Sequence, residues 1–238
     1  MKKRAKKGAL HIEMIISFIL FVTFIFFILV YIKPYKQTML PDSIILGIHD
    51  SFEKSASTNL TTIFFKLNPS IAYFDCYSLN MNNIDSGSNS IARLITGGLI
   101  GSIFSSNNLK FAHPPEKYFK VYLSPDLDQD TTPISCSNPA LINSQNYTIG
   151  SLDKIKIISF KNIESMKENY TAHYNELKKQ LGVPANFDFA IYANPSDSDI
   201  DMTQPVSEEA AVEAVSYVHK ILYPDGNIEI KELIIKVW

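Results

Sequence analysis

The sequence predicts an α+β fold in which a single N-terminal transmembrane helix precedes a strand-rich extracytoplasmic domain with one or two packed helices. Three observations predict it. From Met14 to Ile32, 19 residues carry no charge and 15 of them are Leu, Ile, Val or Phe. Beyond Asn59, several segments alternate apolar and polar residues with a period of two, the mark of half-buried strands. Between two of these segments, one stretch repeats at three and four, the mark of an amphipathic helix.

These changes in pattern divide the chain into a basic leader (1–8), a transmembrane or assembly helix (9–32), a stalk or linker (33–58) and an extracytoplasmic domain (59–238). As a helix the uncharged run would reach about 28 Å, against roughly 30 Å of bilayer hydrocarbon. Fifteen strongly apolar residues favour insertion by about 5 to 9 kcal/mol, more than one carboxylate at the rim, Glu13, can offset. Lys2, Lys3, Arg4, Lys6 and Lys7 precede the run and only Lys33 and Lys36 follow closely, so the N-terminus is expected in the cytoplasm. The run continues into YIKPYKQTML without a small-x-small cleavage site, so the helix is expected to be retained as a single-pass anchor in the cell membrane.

Formal net charge is −2, and more negative without the five leading cations, which argues against a nucleic-acid partner. Cys76 and Cys136 both fall in the part expected outside, where disulfides persist. Joining them closes a loop of 61 residues, worth about 4 kcal/mol in the chain-entropy model; two separate buried thiols are the alternative. Sequons at Asn59, Asn146 and Asn169 suit an exported surface, although such triplets also arise by chance in an Asn-rich chain.

After Pro41, the stretch DSIILGIHDSFEKSA reads as a capped helix or an extended stalk. NLTTIFFKL then alternates Ile63, Phe65 and Leu67 against Thr62, Phe64 and Lys66, and SIAYFDCYSL carries Cys76 on a second strand. NMNNIDSGSNS is turn chemistry. IARLITGGLIGSIF, 14 apolar-rich residues with Gly97, Gly98 and Gly101, is too short to cross a bilayer and reads as a core or interfacial segment. Strands are expected at KYFKVYL, DKIKIISF and NFDFAIYA. The best amphipathic helix places Ile163, Met166, Tyr170, Tyr174, Leu177 and Leu181 on one stripe and stops at Gly182 and Pro184. The C-terminus reads as a hairpin: AVSYVHKILY, a turn at PDGN, then IEIKELIIKVW. Its first arm is alternatively a helix starting at Ser207, and the phase change between Ile230 and Leu233 suggests a bulge.

No Gly-rich phosphate loop, G-x-S-x-G elbow or H-E-x-x-H occurs, and the chain is not read as an enzyme or as binding a cofactor. His11, His49, His113, His173 and His219 are scattered singly. Asp126, Asp128 and Asp130 form one alternating acidic run, and Asp197, Asp199 and Asp201 another. Glu208 is twelfth from Asp197, as in a calcium loop, but Met202 stands where such a loop needs glycine and Pro205 interrupts it. A solvated acidic turn is the simpler reading.

The opening KKGALHIEM resembles the class III signal of type IV pilins and pilin-like proteins of archaea and, in related form, of bacteria. The resemblance implies a prepilin peptidase cutting after Lys7 and Gly8, with Ala9 as first residue of the mature chain and Glu13 as fifth. It also implies an assembly ATPase with a membrane platform, membrane lipid around the helix and other pilin-like subunits as neighbours. In a packed bundle Glu13 would pair with the new amine of Ala9 on the next subunit, compensating charges that an apolar environment penalises. Ala9 departs from the Phe common in bacterial pilins, and archaeal pilins do not generally need the acid. About 200 residues of ectodomain is large for a major pilin, so the resemblance implies a minor or pseudopilin role in a surface or secretion filament. YNELKKQLGVPANFDFAIY and the ending LIIKVW are similar to archaeal pilin-like proteins. The other reading of the same residues is an uncleaved, signal-anchored ectodomain acting as an adhesin or binding module.

Overall fold

The computed structural model describes residues 5–31, 39–68, 73–81, 87–129, 139–142, 145–193, 198–208 and 210–238. The chain divides into two compact units, Met1–Asp42 and Ser43–Trp238.

In the first unit lies helix α1, Ala5–Tyr31. It starts within the stretch expected as a leader, so residues 5–8 are helical. Among the described residues, no helix is long and apolar enough to cross a membrane, which overturns the expected transmembrane helix.

The second unit is strand-rich. Helix α2, Met39–Ala56, enters it with Ile45, Ile48, Phe52 and Ala56 at helical spacing, none more than 1% exposed. Pro41 occupies its first turn, where a missing N–H breaks no helical hydrogen bond. Residues 43–58, expected as a stalk, thus lie within the compact unit.

Thirteen strands follow among the described residues. The first seven are β1 (Ser57–Leu67), β2 (Cys76–Asn80), β3 (Asn89–Leu94), β4 (Leu99–Ile100), β5 (Ser102–Ser105), β6 (Asn108–Ala112) and β7 (Tyr118–Ser124). β8 (Ala140–Leu141) and β9 (Tyr147–Ser159) lead to helices α3 (Phe160–Ala172) and α4 (Tyr174–Gln180). β10 (Phe189–Ala193), β11 (Asp201–Met202), β12 (Glu213–Leu222) and β13 (Ile228–Val237) complete the chain. The apolar run around Gly97 and Gly98 is strand and turn rather than helix, because Gly97 at φ +97° supplies a left-handed corner between β3 and β4. NMNNIDSGSNS lies partly outside the described residues.

Nine strands form one sheet in the order β11-β10-β13-β12-β9-β1-β7-β3-β4, and four form a second, β5-β6-β2-β8. On one face of the large sheet, α2, α3 and α4 cover the β10, β13, β12 end, enclosing Phe52, Ile163, Phe189, Ile221 and Leu233. On the same face at the other end, the small sheet closes a sandwich around Ile63, Phe65, Phe111, Phe119 and Val121. β1 and β9 join the two halves, since the register Ser57↔Ile158 and Ile63↔Leu152 carries one strand pair beneath both. The opposite face holds a smaller cluster of Leu60, Ile91, Leu127, Ile157 and Leu222.

Two local expectations are corrected. The hairpin register runs unbroken from Glu213↔Val237 to Leu222↔Ile228, so β13 has no bulge and its first arm is a strand, not a helix. The apolar phase changes because Ile228 and Ile230 lie on the outer face while Leu233, Ile235 and Val237 enter the core. The irregularity sits instead where Phe64 faces Ser151 and Phe65 faces Ile149, leaving Gly150 as the extra residue. A Cβ there would lie 2.8 Å from the Phe64 ring, which explains a glycine within a strand. The predicted amphipathic helix is divided at His173, whose φ −137°, ψ 44° is not helical. Across that break Tyr170 meets the Phe189 ring edge-on at 5.3 Å and Tyr174 stacks on it at 5.6 Å.

Candidate functional site

The backbone of Lys7, Gly8, Ala9 and Glu13 is helical within α1, and their side chains lie outside those described. From residue 14 onward the chemistry is explicit. Met14, Ile15, Ile16, Phe18, Ile19, Leu20, Phe21, Phe24, Ile25, Phe26 and Phe27 are each between 38% and 74% exposed in the single chain. Consecutive positions point all round a helix, so no one polar face is reserved for water. Thr23, one of two polar residues in this stretch, donates its hydroxyl to the Ile19 carbonyl at 2.8 Å and so needs no external partner.

A second site comes from α2 and β12. His49 lies on α2 beside the buried Ile48, and His219 lies on β12 two residues before the buried Ile221, so packing the helix on the sheet brings the imidazoles together. Their Nε2 atoms are 3.2 Å apart. Tyr217 stacks on His49 with centroids 3.8 Å apart and fixes the plane of that ring. Asp50 Oδ1 lies 3.4 Å from His49 Nδ1. Burial lowers the pKa of His219, the neighbouring His49 lowers it further, and Glu53 acts in the opposite direction.

A third polar cluster ties α4 to β10. Lys178 Nζ donates to Asp188 Oδ1 at 3.0 Å and to the Ala185 carbonyl at 3.1 Å, while the Tyr174 hydroxyl donates to Asp188 Oδ1 at 3.0 Å. The Tyr170 hydroxyl donates to the Phe189 carbonyl at 2.8 Å. Burial raises the pKa of Tyr174 to about 12 and that of Tyr170 further, and Asp188 adds to both shifts. These groups are structural: they join α4 to β10.

The other sequence candidates are dispersed. Cys76, 2% exposed, is disulfide-bonded; the one other cysteine in the sequence, Cys136, lies outside the described residues. Asn59 is exposed on β1, and Asn169 on α3; Asn146 is half-buried beside β9, its carbonyl accepting the Asn68 N–H at 3.0 Å. Asp126 accepts from Asn162 Nδ2 at 3.1 Å and Asp128 approaches Lys161 at 3.9 Å, while Asp130 lies outside the described residues. Asp199 belongs to a short 3-10 turn and Asp201 begins β11, both exposed; Asp197 lies outside the described residues. Among the described residues no three metal-ligating side chains converge. An open pocket of about 290 Å³ beside β1 and β9 is lined by Asn59, Thr61, Ser88, Lys154 and Lys156, a set without a histidine, cysteine or carboxylate to act as base.

Sequence reasoning treated the histidines singly and missed His49 with His219, which are 170 positions apart. The one local signal was the spacing of His49 and Glu53, four residues apart on a helix. No protein-family model, curated protein or solved structure matches this chain.

Proposed function

We propose that the chain is a pilin-like subunit of a surface or secretion filament, processed after Gly8 and assembled through α1, with its strand-rich domain facing outward. The observation that carries this reading is the all-round exposure of large apolar side chains over residues 14–28 of α1. Such a helix is stable in a cell only when lipid or other helices cover it, and contiguous apolar surface of this extent marks an interaction site. In a filament, neighbouring copies cover the helix. A bundle of like helices also gives Glu13 its use, since a buried carboxylate is tolerated when paired, and cleavage creates the Ala9 amine as a partner.

Because helix α1 begins at Ala5, the Gly8–Ala9 bond is helical in the uncut chain. A peptidase that takes an extended substrate must unwind this end. Gly8 weakens the helix there by about 1 kcal/mol relative to alanine and so favours unwinding. The partners of this reading are a prepilin peptidase, an assembly ATPase with its platform, and other pilin-like subunits.

The test is the mass of the N-terminal peptide from protein recovered from cells that contain the peptidase. The expected chain begins at Ala9, and substitution of Gly8 retains the leader. An intact leader in the wild-type protein overturns processing. Assembly is tested separately by Ser17→Cys: oxidation is expected to link α1 helices of neighbouring copies, and monomers alone would refute packing through this helix.

A further inference from the structure

We propose that the contact of His49 with His219 is an acid-sensitive latch between α2 and β12: the two rings share one proton, and full protonation of both breaks the contact and loosens the helix on the sheet. The proposal is independent of the filament reading. Its basis is the hydrogen bond between the two Nε2 atoms, 3.2 Å apart, which ties the helix to a strand 170 positions further along the chain. A neutral imidazole has one donating and one accepting nitrogen, so this bond needs at least one unprotonated Nε2. When both rings are charged every nitrogen is a donor, and two N–H groups of like charge face each other.

Successive protons therefore have different effects. Asp50 Oδ1, 3.4 Å from His49 Nδ1, accepts from that nitrogen, so in the neutral pair His219 donates from Nε2 to His49 Nε2. One added proton reverses the bond: His49 then donates from Nε2, His219 carries its proton on Nδ1, and the contact becomes charge-assisted. A further proton has no such arrangement. Tyr217 stacks on His49 with centroids 3.8 Å apart, and the His49 side chain is only 14% exposed, so the rings separate only by parting helix from strand.

The charges facing the pair leave this balance in place. Asp50 and Glu53 on α2 favour protonation, but both are exposed and screened by water. Lys231, opposite His219 on β13, opposes it, and Glu229 Oε2, 3.0 Å from the Lys231 Nζ, offsets that charge. Lys220 and Glu232 lie on the other face of the hairpin. Burial lowers the pKa of His219 and His49 lowers it further, so the neutral ring stabilises the fold. That effect is full above the unfolded value near 6.5 and is lost as pH falls through the lowered folded value. Ile45, Ile48 and Phe52 still bury α2 against the sheet, so acid loosens the helix rather than releasing it.

The experiment is hydrogen exchange of the full chain in detergent at about pH 8 and about pH 5, corrected for intrinsic exchange rates, with an NMR titration of the histidine side chains. In the wild type, α2 amides around His49 are expected to lose about tenfold in protection at the lower pH. His219→Gln, whose amide bonds His49 without titrating, is expected to keep that protection. In His49→Gln, His219 is expected to titrate at higher pH than in the wild type. Equal loss of α2 protection in wild type and His219→Gln overturns the proposal, as does an unchanged His219 midpoint in His49→Gln. If the variants fail to fold, the wild-type titration decides: His219 protonating together with His49 in one step near 6.5 overturns the latch.

Discussion

Replacing Asp188 by asparagine tests what fastens α4 to β10. Lys178 is buried, its side chain 10% exposed, and its ammonium lies 3.0 Å from an Asp188 side chain that is 46% exposed. Asparagine keeps an Oδ1 to accept from Tyr174 and from Lys178, so the change removes charge while preserving shape. Breaking a fully buried pair by removing one partner costs about 3 to 5 kcal/mol, whereas a fully exposed pair is worth under about 1. With one partner buried and the other screened by water, Asp188→Asn is expected to cost about 1 to 2 kcal/mol. The Lys178→Met, Asp188→Asn double variant should recover most of that loss, because methionine fills the stem's volume without an unpaired charge. Equilibrium urea unfolding of the two single variants and the double variant measures the coupling. If Asp188→Asn shifts stability by less than about 0.3 kcal/mol, or the double variant loses the sum of the singles, the pair does not hold the helix and the reasoning fails.

The sandwich core makes a sharper demand. Phe119 is fully buried, stacked on Phe65 at 5.2 Å and beside Phe111 at 5.0 Å, so Phe119→Ala should cost about 3 to 5 kcal/mol in urea unfolding, far more than Tyr118→Ala at an exposed site. Gly226 has φ +81° and its missing Cβ would sit 3.2 Å from the Ile91 side chain; Gly226→Ala should destabilise by about 1 to 2 kcal/mol, and a neutral result would show that the hairpin tip yields. Tyr170 and Tyr174 have folded pKa values above the unfolded value near 10. The folded chain therefore keeps protons that the unfolded chain sheds, so their stabilising effect is full below pH 10 and falls as pH rises through about 12 for Tyr174 and beyond for Tyr170. Tyrosinate absorbance should show these two ionising only as the chain unfolds; early ionisation with the other tyrosines would refute it.

Much of the strand pattern was readable because burial follows a period of two along each strand. Ile63, Phe65 and Leu67 alternate with exposed or half-exposed neighbours in β1 as the sequence indicates, and the stripe from Ile163 to Leu181 contacts the core. The misreadings have local causes. At the C-terminus, apolar residues occupy both faces of β13, and a change of face imitates a change of register. At α2, the sequence offers a helix or a stalk with equal ease, because only the sheet it covers makes Ile45, Ile48 and Phe52 a core. The break at His173 leaves no periodic trace, since the stripe continues at three and four across it.

What the sequence alone determined is where apolar residues cluster and how they repeat: a helix-forming, polar-poor segment near the start, then strands with one covered face. These follow from backbone geometry and hydrophobic spacing within a few residues. What only the tertiary structure decided is which surfaces meet. It placed α2 inside the folded unit, joined two cores beneath β1 and β9, and set His49 beside His219. Such contacts depend on strand order and helix docking across long loops, so no local pattern encodes them.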